Sequence, residues 1–155
     1  MFKRLICLFF VVSMYPAFAD ELSDAVQTDY DEYLGPLFDH FHRNPELSTI
    51  EHETARRMAL ELNLAGFEVT EGVGGTGVVA MLENGEGPLV MMRADMDGLP
   101  VEEKSGLENA SRARQIDPIT GTEVFVMHAC GHDVHITSLV GTARYMAAHR
   151  DSWSG

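Results

Sequence analysis

A chain of 155 residues with a formal charge of −13 is long enough for one domain with a real core. It carries no basic run, which argues against nucleic acid and other polyanions as partners. No segment is repeated or low in complexity.

The N-terminus reads as a secretory signal peptide over residues 1–19. Lys3 and Arg4 supply a basic start, and residues 5–15 are apolar but too short to anchor in a bilayer. Ala17-Phe18-Ala19 is the small-x-small pattern of a cleavage site, which predicts Asp20 as the mature N-terminus and a periplasmic or secreted protein with no stable membrane association. Losing Lys3 and Arg4 takes the charge to −15. Cys7 leaves with the leader, so Cys130 remains as a single thiol and no internal disulfide can form. In an oxidising compartment such a thiol needs burial or a metal.

Residues 22–41 have the spacing of an amphipathic helix, with Val26, Tyr30, Tyr33, Leu34, Leu37, Phe38 and Phe41 on one stripe. Asn44-Pro45 ends it, because the residue before a proline is pushed out of the helical region. Ser48-Thr49-Ile50-Glu51 reads as a capping box for a second helix with Ala55, Met58, Ala59 and Leu62 buried and Gly66 as its stop. Short strands are expected at 67–71 and 77–83, around a glycine-rich turn. That turn, Gly72-Val73-Gly74-Gly75-Thr76-Gly77, matches G-x-G-x-x-G, but a dinucleotide site needs a helix next. The β-rich Val78-Val79-Ala80-Met81-Leu82 follows instead, so a hairpin is the better reading.

Residues 89–94 form a continuous apolar run, the pattern of a strand buried on both faces. Residues 105–123 have little periodicity and read as a long mobile excursion. A strand at 124–127 then leads into a helix at 133–149, with Ile136, Leu139, Val140, Ala143, Met146 and Ala147 facing the core. The alternation of elements is α/β.

Two motifs carry chemistry. Met127-His128-Ala129-Cys130-Gly131-His132-Asp133-Val134-His135 places a thiol between imidazoles, the composition of a transition-metal site, with Gly131 permitting a tight turn. The bland alternative is a histidine-rich loop entering a helix. Arg93-Ala94-Asp95-Met96-Asp97-Gly98-Leu99-Pro100 follows the apolar run, where α/β folds build active sites. Its aspartates could bind metal, orient a metal-bound histidine, or merely cap a turn. His128 and His135 could be substrate donors or satisfied polar residues. His42 and Glu46 are read as serving the turn between two helices.

Together with His42-Arg43-Asn44-Pro45-Glu46-Leu47-Ser48 and Gly74-Gly75-Thr76-Gly77, these motifs resemble the metal-dependent amidohydrolases typified by hippurate hydrolase, N-acyl-amino-acid amidohydrolase and the plant auxin-conjugate hydrolases. The resemblance runs from about residue 20 to the end. It implies a two-metal catalytic domain of the aminopeptidase/carboxypeptidase type, with a mostly parallel central sheet and a separate lid or dimerisation domain. It also implies hydrolysis of the amide bond of N-acyl amino acids, two divalent ions (zinc, manganese, cobalt or nickel), and a homodimer or larger assembly. Carried over by position, Cys130 is the metal-bridging thiolate, His132 a metal ligand, and Asp97 a catalytic aspartate supporting the metal site. The role of Asp95 is left open. Family members are more than twice this length, and their Glu-Glu pair and later histidine ligands have no counterpart in these residues. Residues 20–155 are therefore expected to be the front of a catalytic domain, without its lid and inactive alone. A non-catalytic metal-binding or interaction fragment is the alternative.

Overall fold

The computed structural model describes residues 18–155, so the predicted leader lies outside the described residues except for its last two positions. A continuous helical run opens the structure: α1 (Phe18–Asp29), a π-helical turn (Tyr30–Leu34) and α2 (Gly35–Arg43). The π turn is a departure from the expected regular helix, and Pro36 gives the reason. A proline inside a helix lacks an N–H and crowds the carbonyl four residues back. Widening the register relieves this, and Gly35 N–H donates to Tyr30 O across five residues. A Cβ on Gly35 would stand 2.9 Å from that oxygen. Val26 and Tyr30, expected on the buried stripe, are about half exposed, whereas Leu34, Leu37 and Phe41 are buried.

Asn44 ends α2, and α3 (His52–Leu64) begins later than the capping box predicts. Thr49 adopts φ +73°, which turns the chain before the helix can start, and the Ser48 side chain makes no cap. The Glu46 carboxylate caps α3 instead, accepting from Glu53 N–H (3.2 Å), Thr54 N–H (2.7 Å) and Thr54 Oγ1 (2.8 Å). The far end is as expected. Gly66, at φ +91°, lets Phe67 N–H reach Leu62 O and Gly66 N–H reach Asn63 O.

An antiparallel hairpin follows, β1 (Glu68–Val73) on β2 (Gly77–Met81), with an irregularity between Glu71 and Val73. The glycine motif is its turn, and no helix follows, which removes the dinucleotide reading. A second hairpin pairs β3 (Arg114–Ile116), in the stretch expected to be an irregular excursion, with β4 (Glu123–Phe125), which overlaps the strand expected at 124–127. The signal of β3 was hidden because that strand is only three residues long and mostly polar. The turn between them is held by Asp117, whose carboxylate accepts from Ile119 N–H and Thr120 Oγ1.

The expected buried strand at 89–94 does not form. Leu89, Val90 and Met91 are 81–86% exposed, and no strand pairs with the run among the described residues. An apolar strand is buried only by ladder neighbours on both edges and layers on both faces. The described ladders are antiparallel, and parallel pairing is confined to the Leu47–Gly98 bridge. The chain closes with α4 (His132–Ala148) and a short 3₁₀ turn at Arg150–Ser152.

The core lies where α2, α3 and α4 meet. Leu34, Leu37, Phe41, Met58, Ile136 and Val140 form one buried cluster, with Ala94, Met96 and Leu139 packed against it. Of the expected core face of α4, Ile136, Val140 and Ala143 are buried, while Met146 is exposed. Helix approach is close enough that a Cβ on Gly141 would meet Leu34 Cδ1 at 2.7 Å. No helix among the described residues is long and apolar enough to cross a membrane.

Candidate metal centre

Three segments converge at the N-terminus of α4. Gly98 N–H donates to Glu46 O at 2.6 Å, and Leu99 and Met127 exchange backbone hydrogen bonds of 2.8 and 3.1 Å. Asp97-Gly98-Leu99 is thereby strapped between the Pro45 turn and the entry to the histidine-rich loop. Only glycine fits at position 98, because a Cβ there would stand 2.8 Å from Val126 Cγ1 and 3.0 Å from Pro45 Cβ. The strap explains why the aspartate motif, which follows an unpaired run, is still held in place.

Asp97 organises two imidazoles. Nδ1 of His132 lies 2.9 Å from the Asp97 carbonyl and 3.0 Å from its carboxylate Oδ1. Nδ1 of His128 lies 3.2 Å from the same carbonyl. A carbonyl only accepts, so both rings donate from Nδ1, which in the neutral ring puts the lone pair on Nε2. A second partner fixing the far nitrogen is the arrangement that metal-binding histidines require. His128 is buried, its Nε2 meets no partner, and burial holds its pKa below the ordinary histidine value despite the nearby Asp133 carboxylate.

Gly131 takes φ +76° at the N-terminal boundary of α4, which turns the chain between Cys130 and His132. The Cys130 thiol is free and exposed. His135 is exposed, its ring centroid 5.4 Å from that of His132. Asp95 is turned outward and pairs with Arg93.

The donor set fits a metal in part. A thiol and an imidazole with a fixed tautomer suit zinc or a neighbouring transition ion. Among the described residues, however, no group of three or more His, Cys, Asp and Glu side chains lies together as a metal site. Two side chains are fewer than a closed four-coordinate site needs.

Beside it lies a cluster the sequence did not reveal. His42, on the last turn of α2, places Nδ1 2.7 Å from Asp133 Oδ2 and Nε2 3.4 Å from Glu103 Oε1. Both carboxylates are almost wholly buried. Burial works against a charge on His42, but the Asp133 hydrogen bond and the Glu103 and Asp133 charges outweigh it, and its pKa is raised. For Glu103 burial works the other way. Hydrogen bonds from Ser105 and Ser111 and the neighbouring His42 overcome it and lower the pKa. Nothing in the pattern around Glu103 marks it, since it sits in a polar run. Asp133 was visible only as part of the motif.

Residues 91–155 match the description of Peptidase family M20/M25/M40. This segment is similar to that family. The M20 segment holds the aspartate motif, the histidine-rich loop and α4, the same residues that build the centre. An IAA-amino acid hydrolase ILR1-like 2 of Arabidopsis thaliana is 37% identical over 99% of the chain and 35% of its own length. Hippurate hydrolase of Campylobacter jejuni is 43% identical over 69% of the chain and 26% of its own length. The chain thus spans between a quarter and about a third of the curated relatives it matches. A crystal structure from methicillin-resistant Staphylococcus aureus superposes with a TM-score of 0.76, at 30% identity, covering 89% of the chain and 34% of that protein. The Bacillus subtilis YXEP protein, described as a dinuclear metal binding peptidase from the M20 family, gives a TM-score of 0.68 at 30% identity over 86% of the chain and 34% of its own. The α/β class and the amidohydrolase resemblance are borne out by these matches, and the M20 catalytic fold extends upstream of the family segment.

Proposed function

We propose that these residues are the metal-binding front of a secreted amidohydrolase that cleaves the amide bond of N-acyl amino acids of the hippurate type. Cys130 and His132 hold metal, and Asp97 acts through His132. The observation that carries this reading is the fixed His132 tautomer beside the exposed Cys130 thiol, within an M20 segment. Relatives that include hippurate hydrolase and an N-acetyl-L-cysteine deacetylase of Bacillus subtilis support the substrate class. A pair of divalent ions, when bound, supplies Lewis-acid polarisation of the scissile carbonyl and activates water at neutral pH.

The chain's own residues prepare that chemistry. Asp97 keeps the His132 lone pair available at Nε2 and orients the ring. Gly131, at φ +76°, turns the chain between Cys130 and His132. The buried, neutral His128 keeps a second imidazole beside them without adding positive charge that would repel a cation. The substrate is a small carboxylated amide, and the longer protein assembles as a homodimer or larger in the periplasm or outside the cell.

The test is direct metal titration of the protein with zinc or manganese. Cys130→Ala and His132→Ala each remove most of the binding, and His135→Ala, on the exposed neighbour of His132, has a smaller effect. Unchanged binding in both of the first two variants overturns the ligand assignment.

A further inference from the structure

We propose that His42 is a positioning residue of this centre: its imidazole clamps the Asp133 and Glu103 carboxylates and so sets the geometry with which Cys130 and His132 meet a metal. The proposal rests on the reading of Cys130 and His132 as ligands.

The clamp joins three elements that share no ladder. His42 rides on the last turn of α2, Asp133 on the first turn of α4, and Glu103 on the segment after the aspartate motif. Both Asp133 oxygens are engaged, since Oδ1 accepts from Val134 N–H at 2.9 Å while Oδ2 meets His42 at 2.7 Å. Thr137 Oγ1 further bonds the Asp133 carbonyl at 2.7 Å. The first turn of α4 therefore cannot rotate without breaking the His42 contact, and His132 is its first residue. Glu103 is fixed as firmly, accepting from Ser105 Oγ and Ser111 N–H, each at 2.6 Å. Arg43, next to His42, adds a bond to Glu108 O at 3.0 Å, so the end of α2 grips that segment twice. The ring itself is held by Phe38, stacked at 5.5 Å.

Stability alone does not call for this arrangement. Burying two carboxylates around one imidazole costs desolvation that a well-packed apolar trio would avoid. What the His42–Asp133 hydrogen bond adds is direction, because a hydrogen bond fixes an angle, whereas apolar contacts and the 3.4 Å approach of Nε2 to Glu103 fix only a distance. The element whose angle it fixes begins at the imidazole of His132, two residues after the thiol.

The test uses the full chain titrated with cobalt(II), read by its thiolate-to-cobalt charge-transfer absorption and its ligand-field bands. His42→Ala is expected to raise the cobalt Kd about tenfold and to shift the ligand-field envelope. His42→Asn sets an amide N–H where Nδ1 lies and keeps the Asp133 contact, so it retains the wild-type Kd and spectrum. His42→Gln sets its amide toward Glu103 instead and behaves as the alanine variant. The Asn and Gln pair carries the test where His42→Ala does not fold. A folded His42→Ala with wild-type affinity and spectrum, or equal affinities in the Asn and Gln variants, overturns the proposal while leaving the ligand reading intact. Absence of the thiolate band in the wild type sinks the ligand reading, and the positioning role with it.

Discussion

At the level of single residues, the centre shows how a side chain's second contact decides what its first can do. His132 could present either nitrogen to a metal, but the Asp97 carbonyl and carboxylate claim Nδ1. Asp97→Ala removes the carboxylate and leaves the carbonyl. The expected loss of metal affinity is therefore about tenfold, the lower end of what such partners contribute. Isothermal titration with zinc measures it, and an unchanged affinity would show that the backbone contact suffices. The clamp gives a second prediction, in pH. His42 has a raised pKa, so its stabilisation is fully present below the ordinary value of 6.5 and is lost as pH rises through the elevated folded value. Glu103 has a lowered pKa, so its contribution is present above 4.5 and fades as pH falls through the depressed value. The groups facing His42 are Asp133, Glu103 and the neutral His128. Urea midpoints followed across pH should decline on the alkaline side in the wild type, and that decline should vanish in His42→Asn. A wild-type profile flat from pH 6 to about 8 would contradict the raised pKa.

Among the elements, what the sequence disclosed was whatever local spacing determines. The helices around Leu37, Met58 and Ile136 follow from apolar periodicity, and the Gly66 stop from the one residue suited to φ +91°. Contacts between distant segments were hidden. Glu46 was legible as a turn residue, yet it caps α3 across seven positions, because Thr49 diverts the chain from the nearer candidates. Pro36 was in plain view within an apolar stripe strong enough to suggest an unbroken helix. The metal centre divides in the same way. Cys130, Gly131 and His132 are adjacent and could be read together, whereas Glu103 and His42 meet only after folding. Glu46→Ala should cost about 1 kcal/mol, the usual worth of a helix cap, without disturbing the centre. Thermal unfolding beside metal titration checks both halves of that statement. A loss of metal binding equal to that of His132→Ala would mean that the Pro45 turn, and with it the strap on Gly98, depends on the cap.

For the molecule as a whole, the exposed run Leu89-Val90-Met91-Met92 and the half-built donor set point the same way. A row of apolar side chains with unpaired backbone invites pairing with another chain. Val90→Lys places a charge on a side chain 81% exposed, so stability should change by less than about 0.5 kcal/mol while association falls. Light scattering during concentration reads the effect, and unchanged association would place the sticky surface elsewhere.

Catalysis by these 155 residues alone is expected to be absent, and the reason lies in where the acids have gone. A general base must stand within hydrogen-bond reach of the water it activates and contributes roughly 10²–10⁴-fold. The buried carboxylates are already engaged: Glu51 with Thr76, Glu61 with Tyr33 and Arg57, Glu103 with Ser105 and Ser111, Asp133 with His42. Beyond Asp133 the single acid is Asp151, exposed on the 3₁₀ turn after α4. Asp97 is occupied by His132. Purified protein assayed on hippurate and N-acetyl amino acids with added manganese or zinc should show metal binding without turnover. A chain extended to the length of the relatives should hydrolyse them. Metal-dependent turnover by the 155 residues that disappears in Cys130→Ala would show that one of these engaged acids is released to serve as the base.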